Sequence, residues 1–237
     1  MKLTILVLSI FDFFSKKKIL NFFKLKFINI DTIVDVGGHK GETFDLFDKN
    51  FKVENYYTFE ASPINFKYLE KKKLNLNKKN FKIINKAVGD NSKETIFYQL
   101  NESSSSTLNE INQDSNYYKK KNLLINFFSF NKPKTIEFKL KPILLSDFID
   151  SNNIKKIDIL KIDTEGYEFR VVKGLNEKIK FVDYIYFEHH YDDMIKKGYT
   201  FSMIHNYLKQ NDFKKVFKLK MPFRKSFEYV YQNINMG

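Results

Sequence analysis

The sequence predicts an α/β fold, in which a mostly parallel sheet is covered by helices on both faces and has an antiparallel edge near the C-terminus. From residue 29 onward, short apolar runs alternate with longer amphipathic ones, the pattern of strands joined by helical crossovers. The last two strand-like runs have no helix between them, so they can pair antiparallel. The 237 residues, 43% of them hydrophobic, suit one domain at 1–237, with an N-terminal extension at 1–28 and a core unit at 29–237.

The length and periodicity of these runs give the individual elements. Buried strands are predicted at 32–36, 56–59, 81–88, 157–162 and 182–187. Two alternating strands are predicted at 93–99 and 135–140, and the edge pair at 213–217 and 228–231. Helices are predicted at 42–51, 62–74, 146–150, 169–173 and 201–209. Ser62 and Ser146 are the expected N-caps, and Gly174 is the expected C-terminal stop.

The composition narrows the function classes. The 41 Lys and Arg residues against 28 Asp and Glu give a net charge of +13, and only Arg170 and Arg224 are arginines. Nucleic-acid binders favour Arg for its bidentate contacts, so we expect no nucleic-acid partner. The lysines form a solvated surface or attract anionic membranes or acidic substrates. The absence of Cys excludes a disulfide scaffold, a Cys-ligated zinc site and a thiol nucleophile.

The N-terminal segment is apolar from Leu3 to Phe14, and Lys2 and Lys16 flank it. No small-residue cleavage site follows it, and it is too short to span a bilayer. Two alternatives remain, a helix packed on the domain and an amphipathic segment lying on a membrane surface. We therefore expect a cytoplasmic protein, with peripheral contact at the inner face of the membrane as the second alternative.

A glycine-rich segment, DVGGHKG at 35–41, follows the first predicted strand. Glycine lets the backbone turn sharply and approach a ligand, and the next helix offers free N–H groups. The segment lacks the spacing G-x-G-x-x-G, which counts against a pyrophosphate-binding turn. Asp35, just ahead of Gly37, suits a cationic ligand group better than a phosphate.

Glu60 stands at the end of the second predicted strand, one β-α-β unit downstream of the glycine segment. A carboxylate at this place can accept hydrogen bonds from both hydroxyls of a ribose. The alternative is an exposed Glu at the start of a helix, where the helix dipole favours it. The glycine segment and Glu60 together predict a cofactor that contains a nucleoside.

A third polar cluster follows the strands at 157–162 and 182–187. Asp163 and Glu165 come after the first of them, and Glu188-His189-His190 comes after the second. Carboxylates and an imidazole at adjacent strand ends can deprotonate an acceptor or hold a metal. The alternative for the His pair is an exposed turn. A carboxylate directly after the apolar run that precedes Asp163 is costly to place without a function.

Taken together, these motifs resemble the FkbM-type methyltransferases. The resemblance covers about residues 32–190 and rests on four segments: VDVGG at 34–38, FEASPIN at 59–65, AVGD at 87–90 and KIDTEGYE at 161–168. It implies a Rossmann-like class I methyltransferase fold with S-adenosylmethionine as the methyl donor. It also implies methyl transfer to oxygen, on a hydroxyl of a sugar, a surface glycan or a related metabolite.

The resemblance also implies roles for individual residues. The implied cofactor-binding residues are Asp35, Gly37, Gly38, Gly41, Glu60, Ala61 and Ala87. Within this set, Asp35, Gly37 and Gly41 would line the methionine end, Glu60 would bind the ribose, and Ala87 would lie near the adenine. Family members commonly have Ala-Asn where this chain has Gly38-His39. The run 103–107 resembles the family's Ser-rich loop, which contacts the acceptor.

For catalysis we predict Asp163, Glu165 and His189. Asp163 acts as base or positioning group, His189 is the second candidate base, and Glu165 orients the acceptor or shapes the loop. A divalent metal on these three residues is an alternative, and the prediction is a site without metal. Two rival functions remain, a nicotinamide-dependent oxidoreductase and an inactive domain that docks on a membrane or a protein complex.

Overall fold

Strands and helices alternate along most of the chain that the computed structural model describes, namely residues 15–76, 80–100, 106–120, 135–222 and 224–236. The strands are β1 (Asn29–Val36), β2 (Lys52–Phe59), β3 (Phe81–Ile84), β4 (Thr95–Leu100), β5 (Thr135–Leu140), β6 (Ile157–Ile162), β7 (Val182–His190), β8 (Phe213–Lys220) and β9 (Ser226–Asn233). The helices are α1 (15–24), α2 (Glu42–Asp48), α3 (Pro63–Leu76), α4 (116–120), α5 (Leu145–Ser151), α6 (Glu168–Lys173) and α7 (Phe201–Gln210), with a 3-10 helix at Asn176–Phe181.

The main sheet has seven strands in the order β3-β2-β1-β6-β7-β9-β8. The first five strands of this order run parallel, and β9 and β8 are antiparallel. The strand order reverses between β1 and β6, and such a reversal opens a crevice at the carboxyl ends of the strands. The predicted fold class, a mostly parallel sheet with an antiparallel C-terminal edge, is confirmed.

Each face of the sheet is covered by a separate set of helices. Buried residues of α1, α2 and α3 pack on one face, and those of α5, α6 and α7 pack on the other. On the first face, Phe23 of α1 contacts Phe47 and Tyr184. Residues 15–24 of the N-terminal extension are thus a packed helix, and residues 1–14 lie outside the described residues.

Beyond the main sheet, β4 and β5 form a two-stranded antiparallel sheet. Thr107 pairs with Tyr98 and brings the described end of the predicted Ser-rich loop towards the carboxyl edge of the main sheet. Ser103 to Ser105 lie outside the described residues. Among the residues that the structure describes, no helix is long and apolar enough to cross a bilayer.

Several predicted boundaries differ from the structure by a few residues, as at β2, which begins at Lys52 rather than 56. Three further differences concern β3, β7 and the start of α5. β3 ends at Ile84 rather than 88, because Ala87 and Gly89 bond to the backbone of Ile143 instead of continuing beside β2. β7 continues to His190, three residues beyond its predicted end. The predicted N-cap at Ser146 is wrong, because Leu144 occupies that position. The Oγ of Ser146 instead accepts a hydrogen bond from Asn176.

Candidate active site

A cavity of about 740 Å³ opens at the carboxyl edge of the sheet, where β1, β2, β6 and β7 end. Each of these strands contributes to its lining through residues within three positions of its last residue. The residues of this inner lining are Val36, Gly37, Gly38, Phe59, Glu60, Ala61, Lys161, Asp163, Glu165, Glu188 and His190. Ala87 and Val88, which follow β3, line the same cavity.

The glycine turn after β1 is required by tight packing. Gly37 has a φ of 87°, and a Cβ there would lie 1.9 Å from the backbone oxygen of Asp163. A Cβ on Gly38 would lie 1.9 Å from the hydroxyl of Thr58. The amides of both glycines donate to the carbonyl of Phe59, at 2.9 and 3.0 Å. The turn therefore brings bare backbone into the cavity, where no side chain separates it from a ligand.

Glu60 is buried at the end of β2, with 6% of its surface exposed. One carboxylate oxygen accepts the amide of His39 at 2.7 Å, and the other accepts the amide of Ser62 at 2.8 Å. Burial raises the pKa of Glu60 to about 7, although the two amides oppose that shift. The side-chain amide of Asn65 is a third donor to this carboxylate, which leaves one of its four lone pairs for a hydroxyl donor.

Asn65 stands beside Glu60 on the first turn of α3. Ser62 caps this helix, as predicted, by accepting the amide of Asn65 at 3.1 Å. The Asn65 side chain lines the cavity, and its carbonyl oxygen is buried without a hydrogen-bond partner among the described residues. Glu60 and Asn65 thus present acceptors to a ligand that brings hydroxyl donors. These residues fit the ribose of the cofactor implied by the sequence motifs.

Lys161 lies between two carboxylates, that of Asp163 in the cavity lining and that of Asp35 beneath it. Its Nζ lies 3.3 Å from Asp35 Oδ1 and 3.3 Å from Asp163 Oδ2. Asp35 is fully buried and also accepts the hydroxyl of Tyr56 at 3.0 Å. Burial alone would raise the pKa of Asp163, but the positive charge of Lys161 outweighs this effect and holds the pKa below its usual value. Asp163 therefore faces the cavity as an ionised carboxylate held by Lys161.

The loop from 163 to 168 is fixed by the carboxylate of its last residue, Glu168. Glu165 and Gly166 both have positive φ, 51° and 93°. The buried Glu168 accepts the amide of Gly166 at 2.7 Å and the hydroxyl of Thr164 at 3.2 Å. From the other side, Thr107 donates to the carbonyl of Glu165 at 2.8 Å. These contacts explain why the KIDTEGYE segment is so rich in polar residues.

His190 lies among three carboxylates at the end of β7. Its Nε2 is 3.4 Å from Glu165 and 3.6 Å from Glu188, and its Nδ1 is 3.4 Å from Asp192. Burial alone would lower the pKa of His190, but the three carboxylates outweigh this effect and raise the pKa to about 10. His190 is therefore an imidazolium at neutral pH, and it fixes Glu165 and Glu188 in place.

Three of the predicted site residues lie outside the cavity lining. Successive side chains of a strand point to opposite faces, so His189 points away from His190 and contacts the Tyr199 hydroxyl at 3.3 Å. Burial lowers the pKa of His189 to about 4. Asp35 lies beneath the lining, and Gly41 caps α2 with a φ of 82°. The other seven, which are Gly37, Gly38, Glu60, Ala61, Ala87, Asp163 and Glu165, line the cavity.

Four lining residues lie in the sequence motifs above but were not predicted as site residues, namely Lys161, Asn65, Glu188 and His190. The period of two along β7 was the available signal, because it places Glu188 and His190 on one face and His189 on the other. The metal alternative needs Asp163, Glu165 and His189 together, and His189 faces away from the other two. Within the described ranges, no three His, Asp or Glu side chains form a group that could hold a metal ion.

Three solved structures share this fold, and two of them hold S-adenosylmethionine or its product S-adenosylhomocysteine. A methyltransferase FkbM from Methylobacillus flagellatus KT matches with a TM-score of 0.54 and 14% identity, over 85% of this chain and 44% of that one. M. capricolum TrmK with S-adenosylhomocysteine matches at 0.52 and 9% identity, over 93% and 68%. Magnesium protoporphyrin IX methyltransferase from Synechocystis PCC 6803, with bound SAM, matches at 0.52 and 7% identity, over 94% and 80%.

These structural matches show the fold, and the chain spans less than half of the length of the Methylobacillus protein. A comparison with curated protein sequences finds no match. The model of the methyltransferase FkbM domain, in contrast, matches residues 35–215, which hold the glycine turn, Glu60, and the whole KIDTEGYE segment. The chain therefore belongs to the FkbM methyltransferase family, whose methyl donor is S-adenosylmethionine.

Proposed function

We propose that the protein methylates a hydroxyl oxygen on a sugar, a surface glycan or a related metabolite. The observation that carries the proposal is one continuous cavity shared by two groups of residues. Glu60 and Asn65, with the glycine turn, offer a place for the cofactor. Asp163 and Glu165 offer carboxylates at the adjacent strand ends, where an acceptor hydroxyl can be held.

When bound, S-adenosylmethionine supplies a methyl group on a positively charged sulfur. Asp163 accepts a hydrogen bond from the acceptor hydroxyl and orients its oxygen for in-line attack. The hydroxyl proton becomes strongly acidic as the new carbon–oxygen bond forms, so a carboxylate of lowered pKa can take it. Lys161 keeps Asp163 ionised and in place, and the His190 imidazolium lies 3.4 Å from Glu165 and positions it.

Methyl transfer to a panel of sugars tests the role of Asp163. We expect Asp163→Asn to lower turnover by roughly a hundredfold, within the range of general-base catalysis, and to leave S-adenosylhomocysteine affinity within about threefold. Calorimetry on the same variant provides the affinity. Near-normal turnover would contradict the proposed role. A folded protein that binds no S-adenosylhomocysteine would contradict the methyltransferase function and favour the inactive docking domain.

The two neighbouring histidines provide a matched pair for the same assay. His190→Gln removes the cation that holds Glu165 and Glu188, so we expect a lower turnover. His189→Gln changes a side chain outside the cavity lining, so we expect normal turnover per molecule of folded protein. A low turnover in His189→Gln with normal turnover in His190→Gln would instead support His189 as the base.

A further inference from the structure

Three cationic side chains from separate elements line the cavity beyond the strand ends. Lys16 comes from α1, Lys120 from the end of α4, and Arg224 from the connection between β8 and β9. None of these elements contributes the glycine turn, Glu60 or Asn65. A fourth cation, Lys86, stands next to Ala87, on the side implied for the adenine. The cofactor motifs therefore leave the first three cations without an assigned role.

The segment that leads to Lys120 is attached to the rest of the fold. Ser115 Oγ accepts the amides of Tyr117 and Tyr118 at the start of α4, and it donates to Asp193 at 2.6 Å. The amide of Asn112 donates to the carbonyl of Met194 at 2.8 Å. These bonds attach the segment before Lys120 to the loop that follows β7. Tyr117 and Met194 line the cavity with Lys120, so this segment forms a wall of the site.

The carboxylates of the cavity have partners other than Lys16 and Lys120. Asp163 pairs with Lys161, and Glu165 and Glu188 lie beside His190. Glu42 lies beside His39, Glu60 accepts two backbone amides, and Glu228 accepts the hydroxyl of Tyr186 at 2.8 Å. Among the residues that the structure describes, neither Lys16 nor Lys120 pairs with a carboxylate. The cavity thus offers positive charge to whatever enters beside the cofactor. An anionic group on that molecule would supply the missing counter-charge.

We propose that the acceptor carries an anionic group, a phosphate or a carboxylate, which Lys16, Lys120 and Arg224 bind while Asp163 holds the hydroxyl. The inference rests on the proposed function and narrows its substrate class from sugars in general to charged sugars. The guanidinium of Arg224 can hold two oxygens of such a group at once, and the two ammonium groups add charge. Charge-assisted bonds of this kind also fix the register of the acceptor against the methyl donor.

The chain offers a matched control for each cation, because a lysine outside the cavity lining stands next to each of them. The site triple carries Lys16→Gln, Lys120→Gln and Arg224→Gln. The control triple carries Lys17→Gln, Lys119→Gln and Lys225→Gln at exposed positions. Both triples lose three positive charges, so a general effect of net charge acts on both equally.

Calorimetry on protein saturated with S-adenosylhomocysteine provides the test, with glucose 1-phosphate, glucuronate and methyl glucoside as probes. We expect at least one charged probe to bind about tenfold or more tightly than methyl glucoside. The site triple should remove this preference, and the control triple should keep it within about twofold. Preference for glucose 1-phosphate or for glucuronate identifies the anion as phosphate or carboxylate.

Several results would overturn the inference. One is that charged and uncharged probes bind with the same affinity, or that no probe binds. Another is that the preference for charged probes falls equally in the site triple and the control triple. A further one is a large loss of S-adenosylhomocysteine affinity in the site triple alone, because the cations would then bind the carboxylate of the cofactor. Failure of the unaltered protein to bind S-adenosylhomocysteine would instead contradict the proposed function itself.

Discussion

Glu60 is buried, although the proposed binding of the cofactor ribose requires its ionised carboxylate. Its pKa is raised to about 7 because it is buried, so the carboxylate is partly protonated at neutral pH. Ribose hydroxyls donate to the ionised form, so cofactor binding favours loss of this proton. We therefore expect S-adenosylhomocysteine affinity to fall as the pH is lowered through 7, approaching about tenfold per pH unit well below it. Calorimetry between pH 5.5 and 8 measures this dependence.

Glu60→Gln is the control for that profile. The amide keeps the size of the side chain, loses the charge and offers a single acceptor oxygen where His39 and Ser62 donate to two. We expect affinity at pH 8 to fall by roughly tenfold to a hundredfold, since hydrogen bonds to a charged group are lost. The pH dependence below 7 should also flatten. A variant profile as steep as that of the unaltered protein would assign the dependence to another group.

The site shows which residues a sequence can identify and which it cannot. Gly37, Glu60 and Asp163 follow predicted strands directly, and the fold brings all strand ends to one edge, so their meeting could be predicted. Lys161 could not be assigned a partner, because its contact with Asp35 depends on the register of β1 beside β6. His189 was chosen over His190 because the predicted end of β7 fell at 187, before the alternation that separates them.

Helix α1 is the part of the N-terminal extension that the structure describes. Its residues Ile19, Leu20 and Phe23 are buried against the sheet, and the two alternatives for the segment from Leu3 to Phe14 stay predictions. Phe23→Ala removes a ring with no exposed surface. We expect it to lower the free energy of unfolding by about 3–5 kcal/mol.

Urea denaturation checks that value, and Leu25→Ala is the matched control two residues later. Leu25 is 85% exposed, so we expect its loss to change the free energy of unfolding by less than about 0.5 kcal/mol. Equal effects of the two substitutions would mean that α1 does not pack on the sheet in solution.

The strands were predictable as elements because apolar runs in a parallel sheet are buried on both faces and read as continuous stretches. Their ends were less predictable, as β3 shows. Apolar residues continue in Ala87 and Val88, yet the backbone there bonds to Ile143 rather than to β2. That partner is more than fifty residues away along the chain, and no local pattern indicates it.

At the scale of the whole molecule, the charge and the position of α1 suggest one more property. The protein has a net charge of +13. The first turn of α1 lies at the cavity, because Lys16 is part of the lining. We propose that the apolar segment before it makes peripheral contact with an anionic membrane. Such contact would bring the cavity towards the surface that holds anionic acceptors.

Co-sedimentation with vesicles tests this contact, using the full chain and a chain that lacks residues 1–14. The deletion removes Lys2 and Asp12, so the net charge stays the same, and the residues that pack α1 on the sheet remain. We expect the full chain to bind vesicles that contain about 30% anionic lipid and to dissociate at high salt, since exposed charges are then screened. The shortened chain should bind clearly less, because it lacks the apolar contribution. Equal binding by both chains would show that the lysines act alone and that the N-terminal segment is no anchor.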